Sequence, residues 1–249
     1  MLEFKILKLS KSYHLRQKKI PQRMASTIDY LKEVFIEEGL IPVEGEFEKL
    51  NSERLNDSPL RKAALEVFED LDGQGDELPL IDYRFDFELF GKAIILDDDI
   101  HFNRYRTFTM RSSIYDMLPE FPRDNYRRYC RTYETQCLKS ASNGAMWSTP
   151  FAEKYFGKSN DNGDLGLTGS SVWKYRAYID FIVDMSAMIF DYKIYRISIY
   201  DTLMIGGQIK TLKDLLSSRN PENKKYLASF FKKKISAITA NGDHLFKKK

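Results

Sequence analysis

The sequence predicts an α/β (α+β) fold: a mixed central sheet with flanking helices. Two observations carry this. Short stretches of alternating apolar and polar residues fall at 81–90, 93–101 and 193–201. Segments with helical apolar spacing lie before, between and after them, giving the order helices, hairpin, helices, strand, helix.

The first helix is expected over 26–39. Ser26 stands at its N-cap and Asp29 in its first turn, Ile28, Leu31, Val34 and Phe35 form its stripe, and Gly39 ends it. A second opens at Ser58-Pro59, with Leu60, Ala64, Val67, Phe68 and Leu71 on one side. Gly73-Gln74-Gly75 then breaks the chain ahead of a hairpin turning at Gly91-Lys92. That turn sets Phe90 opposite Ala93, residue 88 opposite 95, 86 opposite 97 and 84 opposite 99. One face then holds Phe85, Phe87, Leu89, Ile94 and Leu96; the other holds Arg84, Asp86, Glu88, Ile95, Asp97 and Asp99.

Residues 102–118 read as a loop entering a helix. The helix beginning at Pro122 lines up Tyr126, Tyr129, Cys130, Tyr133 and Cys137, with Arg123, Arg127, Arg128 and Arg131 near its start. Residues 140–171 are loop-like, and Asp161-Asn162-Gly163-Asp164 is a turn, lacking the spaced acids and closing Glu of a calcium loop. A helix over 171–190 is apolar nearly all round, so it is expected to be central and buried. A strand over 193–201 and a short helix over 211–216 follow. The expected organisation is a helical region over 1–76, a core over 77–218 with an insertion at about 140–171, and a basic tail over 219–249.

Charge is distributed unevenly. Residues 1–23 carry +6 and residues 219–249 carry +7, leaving −10 for the stretch between them out of a net +3. Basic ends on an acidic body suit arms that reach nucleic acid, or ordinary solubilising tails. No apolar run approaches the roughly 18–20 residues that span a bilayer, so no membrane partner is expected. The first residues mix charge and bulk without a signal-peptide core. The two cysteines, Cys130 and Cys137, fall about 10 Å apart on one helix, too far for a disulfide. A reduced, cytoplasmic protein is the expectation.

Directly opposed strand residues have Cβ atoms about 4.5–5.5 Å apart, and like charges there repel. Asp86 opposite Asp97 therefore calls for protons or a cation, and Mg²⁺ (or Mn²⁺) suits paired carboxylates that share it with a phosphate substrate. The alternative is a solvated edge hairpin balanced by Arg84 and nearby lysines. The Arg- and Tyr-bearing helix either tracks a phosphate backbone and stacks on bases or simply buries its tyrosines. No phosphate-binding glycine loop, dinucleotide fingerprint, His-Glu-x-x-His or paired-cysteine zinc spacing occurs, and the only histidines are His14, His101 and His244. This argues against a zinc enzyme or serine hydrolase.

Arg84-Phe85-Asp86-Phe87, then Ala93-Ile94-Ile95-Leu96-Asp97-Asp98-Asp99-Ile100-His101-Phe102, with the late strand from Lys193 to Asp201, resembles the PD-(D/E)XK restriction-endonuclease-like nucleases. The nearest likeness is to small domains of the very-short-patch-repair type, over about 78–112 and 171–216. The resemblance implies a Mg²⁺-dependent nuclease acting on DNA, in restriction, repair or phage defence. It implies Asp86 and Asp97 as metal ligands, His101 as an acid/base or phosphate contact, and the late strand beside the sheet. The family Glu falls on Ile95, and Asp98 stands where Gly is usual. Glu88, facing Ile95 across the hairpin, or Asp99 could supply the missing oxygen. Lys92, Arg104 and Arg106 are candidates to steady charge on the phosphate, and with Arg111 they form the expected nucleic-acid contacts. Without a replacement acid, the domain would be a catalytically degenerate subunit that binds nucleic acid or protein. Protein partners or a homodimer fit either reading.

Overall fold

A three-stranded sheet in the order β1-β2-β3 occupies the middle of the molecule, built from β1 (Phe87–Leu89), β2 (Lys92–Asp97) and β3 (Ile194–Ser198). β1 runs antiparallel to β2 and β3 runs parallel to it, so the sheet is mixed, as the sequence predicts. The structure is a computed structural model and describes residues 22–45, 47–75, 77–79, 83–141, 146–190 and 192–236, with side chains from 27 onward. His14, His244 and residues 1–21 and 237–249 of the two basic ends lie outside the described residues.

Helices α1 (Gln22–Glu37), α2 (Ser52–Asn56) and α3 (Arg61–Asp70) precede the sheet. α1 ends where Gly39 adopts φ 74°: the Leu40 amide donates to the Phe35 carbonyl and the Gly39 amide to that of Ile36, the paired bonds of a Schellman stop. Val43, itself outside any strand, forms a single antiparallel bridge with Glu88 of β1. Between β2 and β3 run α4 (Arg104–Thr109), α5 (Arg123–Ser140), α6 (Pro150–Phe156) and α7 (Ser171–Ser186). Every residue of α7 but Arg176 is buried, because α3, α4 and α6 all pack against it. The remaining elements are β4 (Thr202–Ile205), β5 (Gln208–Thr211), α8 (Leu212–Ser218) and α9 (Lys224–Ser236).

Five expectations need correction. The hairpin register is Phe87↔Ile94, Glu88↔Ala93 and Leu89↔Lys92, two residues away from the expected one. The turn is Phe90-Gly91, with φ 55° and 70°, the doubly positive pair of a type I′ turn. A slip of two preserves the faces, so Phe87, Leu89, Ile94 and Leu96 still form the apolar set, but Glu88 now meets Ala93 rather than Ile95. Residues 102–118 are not mainly loop: they hold α4 and a 3₁₀ turn at Ser113–Met117. The stretch 140–171 contains α6, capped by Thr149 with Pro150 at its first position. The expected basic tail holds α9, whose Leu227, Phe231 and Ile235 are buried; the Phe231 ring lies edge-on to Phe35 at 5.0 Å.

The hairpin β4–β5 was unforeseen, although Gly206-Gly207 between two apolar stretches signals it; both glycines have positive φ. Among the described residues, no helix is long and apolar enough to cross a membrane.

Candidate functional site

The carboxyl ends of β2 and β3 converge on α7, and four elements each deliver charge there. β2 ends on Asp97, which is fully buried. In the parallel register Arg196 of β3 lies beside Ile95, on the face that also carries Asp97. The α7 helix supplies Asp180 and Asp184, one turn apart. Arg106 comes from α4, begun by the Asn103 cap, whose side-chain Oδ1 accepts from the Tyr105 and Arg106 amides.

Arg196 is the hub. Its Nη1 donates to Asp97 Oδ1 at 2.6 Å, its Nε to Asp184 Oδ1 at 2.5 Å, and its Nη2 to Asp180 Oδ1 at 3.0 Å. Arg106 Nη2 donates to Asp184 Oδ2 at 2.6 Å, and the Tyr115 hydroxyl gives that oxygen a second bond at 2.7 Å. Tyr126 closes the other end, donating to Asp97 Oδ2 at 2.6 Å. Both oxygens of Asp97 and both of Asp184 are thus taken. Arg106 Nε makes no hydrogen bond and lies 4.0 Å from Asp180 Oδ2.

His101, in the 3₁₀ turn Asp99–His101 after β2, sits between this cluster and the surface. Its Nδ1 is 2.9 Å from Asp180 Oδ2 and 3.4 Å from Asp97 Oδ1; its Nε2 is 3.8 Å from Asp98 Oδ1. Burial lowers its pKa, but the charges of Asp180 and then Asp97 outweigh this and raise it to about 9. His101 is therefore a cation at neutral pH. Burial also raises Asp180, yet His101 and Arg196 together hold its carboxyl well below the usual range. Three cations (His101, Arg106, Arg196) face three anions (Asp97, Asp180, Asp184), which is the condition for keeping such charges out of water.

Asp86 stands at the rim. The β1–β2 ladder ends at Phe87, and the Asp86 carboxylate turns back to accept from the Leu96 amide at 2.7 Å. Burial pushes its pKa up to about 6, against the lowering effect of that bond. Asp98 is likewise raised by burial.

The other predicted site residues separate from the cluster. Asp99 does not line the hairpin face: it pairs with Lys213 at 2.7 Å and accepts from the Tyr200 hydroxyl. Glu88 is tied through its backbone to Val43. Lys92 is buried, donating to the Ile235 carbonyl at 3.0 Å, and does not face solvent as a nucleic-acid contact would. Arg106 is buried in the ion network rather than open to phosphate. Arg104 is exposed but clamps Glu134 with two bonds of 2.8 and 3.0 Å. Arg111 is exposed, packed over the Phe108 ring.

Arg196, Asp180, Asp184, Tyr115 and Tyr126 were missing from the predicted site. The signal was present: a lone Arg between apolar residues of a strand, and two acids four apart in the apolar second half of α7, must find partners in the interior.

A profile of a family of unknown function, DUF7255, matches residues 66–218. The chain belongs to that family. The matched span runs from within α3 to the end of α8 and contains every member of the ion cluster, whereas α1 and α9 lie outside it. No curated protein and no solved structure matches the chain.

Asp97, His101 and Asp180 are the one group among the described residues with metal-ligand spacing, each offering an atom within 4.8 Å of the others. The fit to a divalent ion is poor. Arg196 already occupies Oδ1 of both acids, leaving each with one oxygen fewer for a cation.

Proposed function

We propose that this chain is a nuclease-like domain that holds nucleic acid without cutting it. The observation that carries this reading is the Arg196 guanidinium, which bridges Asp97, Asp180 and Asp184 where a metal-dependent hydrolase needs carboxylate oxygens free. Ile95, standing where the resembled nucleases carry Glu, adds no oxygen and lies beside Arg196 in the register. The likeness to that superfamily is supported by the β1–β2 hairpin followed, after intervening helices, by a strand parallel to β2.

Support for nucleic acid as the ligand comes from α5 and its border with α4. Arg128 and Arg131 are exposed on α5. Arg127 donates to the Met110 carbonyl at 3.1 Å, which brings it beside exposed Arg111. Such a row suits phosphates, contacted without regard to sequence. Neutralising about four phosphates of a single strand would give a slope of roughly −3 in log K against log salt.

A second reading, a Mg²⁺- or Mn²⁺-dependent nuclease, is favoured by the spacing of Asp97, His101 and Asp180. One experiment separates the two. A labelled DNA oligonucleotide is titrated by fluorescence anisotropy across salt concentrations, then incubated with Mg²⁺ or Mn²⁺ and examined for cleavage. The binding reading expects salt-sensitive affinity, weakened by Arg128→Gln with Arg131→Gln, and no cleavage. Metal-dependent cleavage abolished by Asp97→Ala would install the second reading. No binding at low salt would remove the first. Ile95→Glu adds a discriminator: gained metal affinity marks the parent as degenerate.

A further inference from the structure

We propose that Tyr133, backed by Tyr200, is a stacking platform for an unpaired nucleobase; this rests on the nucleic-acid reading above and names the form of ligand. The two rings lie flat on one another, with centroids 3.5 Å apart and planes 5° from parallel. Aromatic side chains prefer offset or edge-on contacts, and the rings around this pair follow that preference: Phe102 meets Tyr200 at 66°, and Tyr129 meets it at 50°.

Tyr200 is fixed from several sides. It is buried, its hydroxyl donates to Asp99, and Lys213 Nζ sits 5.4 Å from its ring centroid while also pairing with Asp99. Tyr133 is only half-buried, one face covered by Tyr200 and part of the side chain open to solvent. A flat ring held rigid at the surface by a second ring is sequence-tolerant as a platform, because every base has a π face.

Its position supports the assignment. Asp99 follows β2 and Tyr200 follows β3, so the pair stands at the carboxyl ends of the two parallel strands, where open α/β sheets take ligands. The ligand is therefore single-stranded, with bases free to leave their own stack.

The test uses the full chain with a labelled single-stranded oligonucleotide and the matching duplex, in wild type, Tyr133→Leu, Tyr133→Phe and Tyr133→Trp, each checked for folding by circular dichroism. The expected result is about tenfold weaker single-strand binding for Tyr133→Leu, unchanged duplex binding, and wild-type affinity for Tyr133→Phe. Tyr133→Trp should bind with its added fluorescence quenched by the stacked base, and this readout decides the matter if Tyr133→Leu fails to fold. Single-strand binding that is indifferent to Tyr133→Leu, or unquenched in Tyr133→Trp, overturns the platform and leaves the nucleic-acid reading standing. Wild type that binds neither strand form overturns both.

Discussion

Asp97 and Asp99 lie two residues apart at the end of β2 and occupy opposite environments. Asp97 is sealed in the interior, each oxygen held by a buried donor from a different element. Asp99 sits in the following turn with a half-exposed lysine and a tyrosine hydroxyl. The difference teaches which acids hold the interior together and which sit in a turn nearer the surface. A buried carboxylate with an arginine on it ties strands to helices, whereas a carboxylate at the rim can exchange partners at little cost.

The largest expected effect separates these regions most sharply. Arg196→Met leaves Asp97, Asp180 and Asp184 without their shared cation and should cost about 3–5 kcal/mol, the usual result of removing one partner from a buried ion pair. Urea denaturation measures it, and a cost below about 1 kcal/mol would mean that the cluster is not holding the fold.

Next is the pH dependence of stability. The His101 pKa rises on folding from 6.5 to about 9, so its contribution is complete below pH 6.5 and lost as pH rises through 9. The shift corresponds to about 3 kcal/mol. Asp86, raised from 3.8 to about 6, adds a decline in the same direction between those two values. Denaturation midpoints from pH 6 to 9.5 should fall in wild type and stay nearly level in His101→Gln. Parallel curves for the two proteins would contradict the assignment of His101 as a buried cation.

The smallest effect belongs to the rim. Asp99→Asn should cost about 1 kcal/mol or less, because its lysine partner remains a third exposed. If it proved as damaging as Arg196→Met, the contrast between interior and rim would fail.

The legibility of the sequence follows the same division. α7 could be read because its apolar residues surround the axis and Ser170 caps its start. The strand at Ile194–Ser198 could be read from its alternation. The hairpin register could not, because the turn sets Phe90 at φ 55°, a conformation uncommon for an aromatic residue, and moves Gly91 from the first turn position to the second. Asp86, Asp97 and His101 could be picked out by type and spacing, and they do gather at one end of the sheet. What neutralises the acids could not be read, since Arg196 and Asp97 lie 99 residues apart and meet only through a parallel strand pairing. α9 was hidden by its lysines, although Leu227, Phe231 and Ile235 recur at helical spacing.

The most direct test of the central claim, that arginine rather than a divalent cation neutralises these acids, is calorimetric titration of the full chain with Mn²⁺ at neutral pH, beside Asp97→Ala. The account predicts no saturable binding in either protein. Saturable binding at about one site in wild type, lost in Asp97→Ala, would contradict it and return the cluster to metal chemistry.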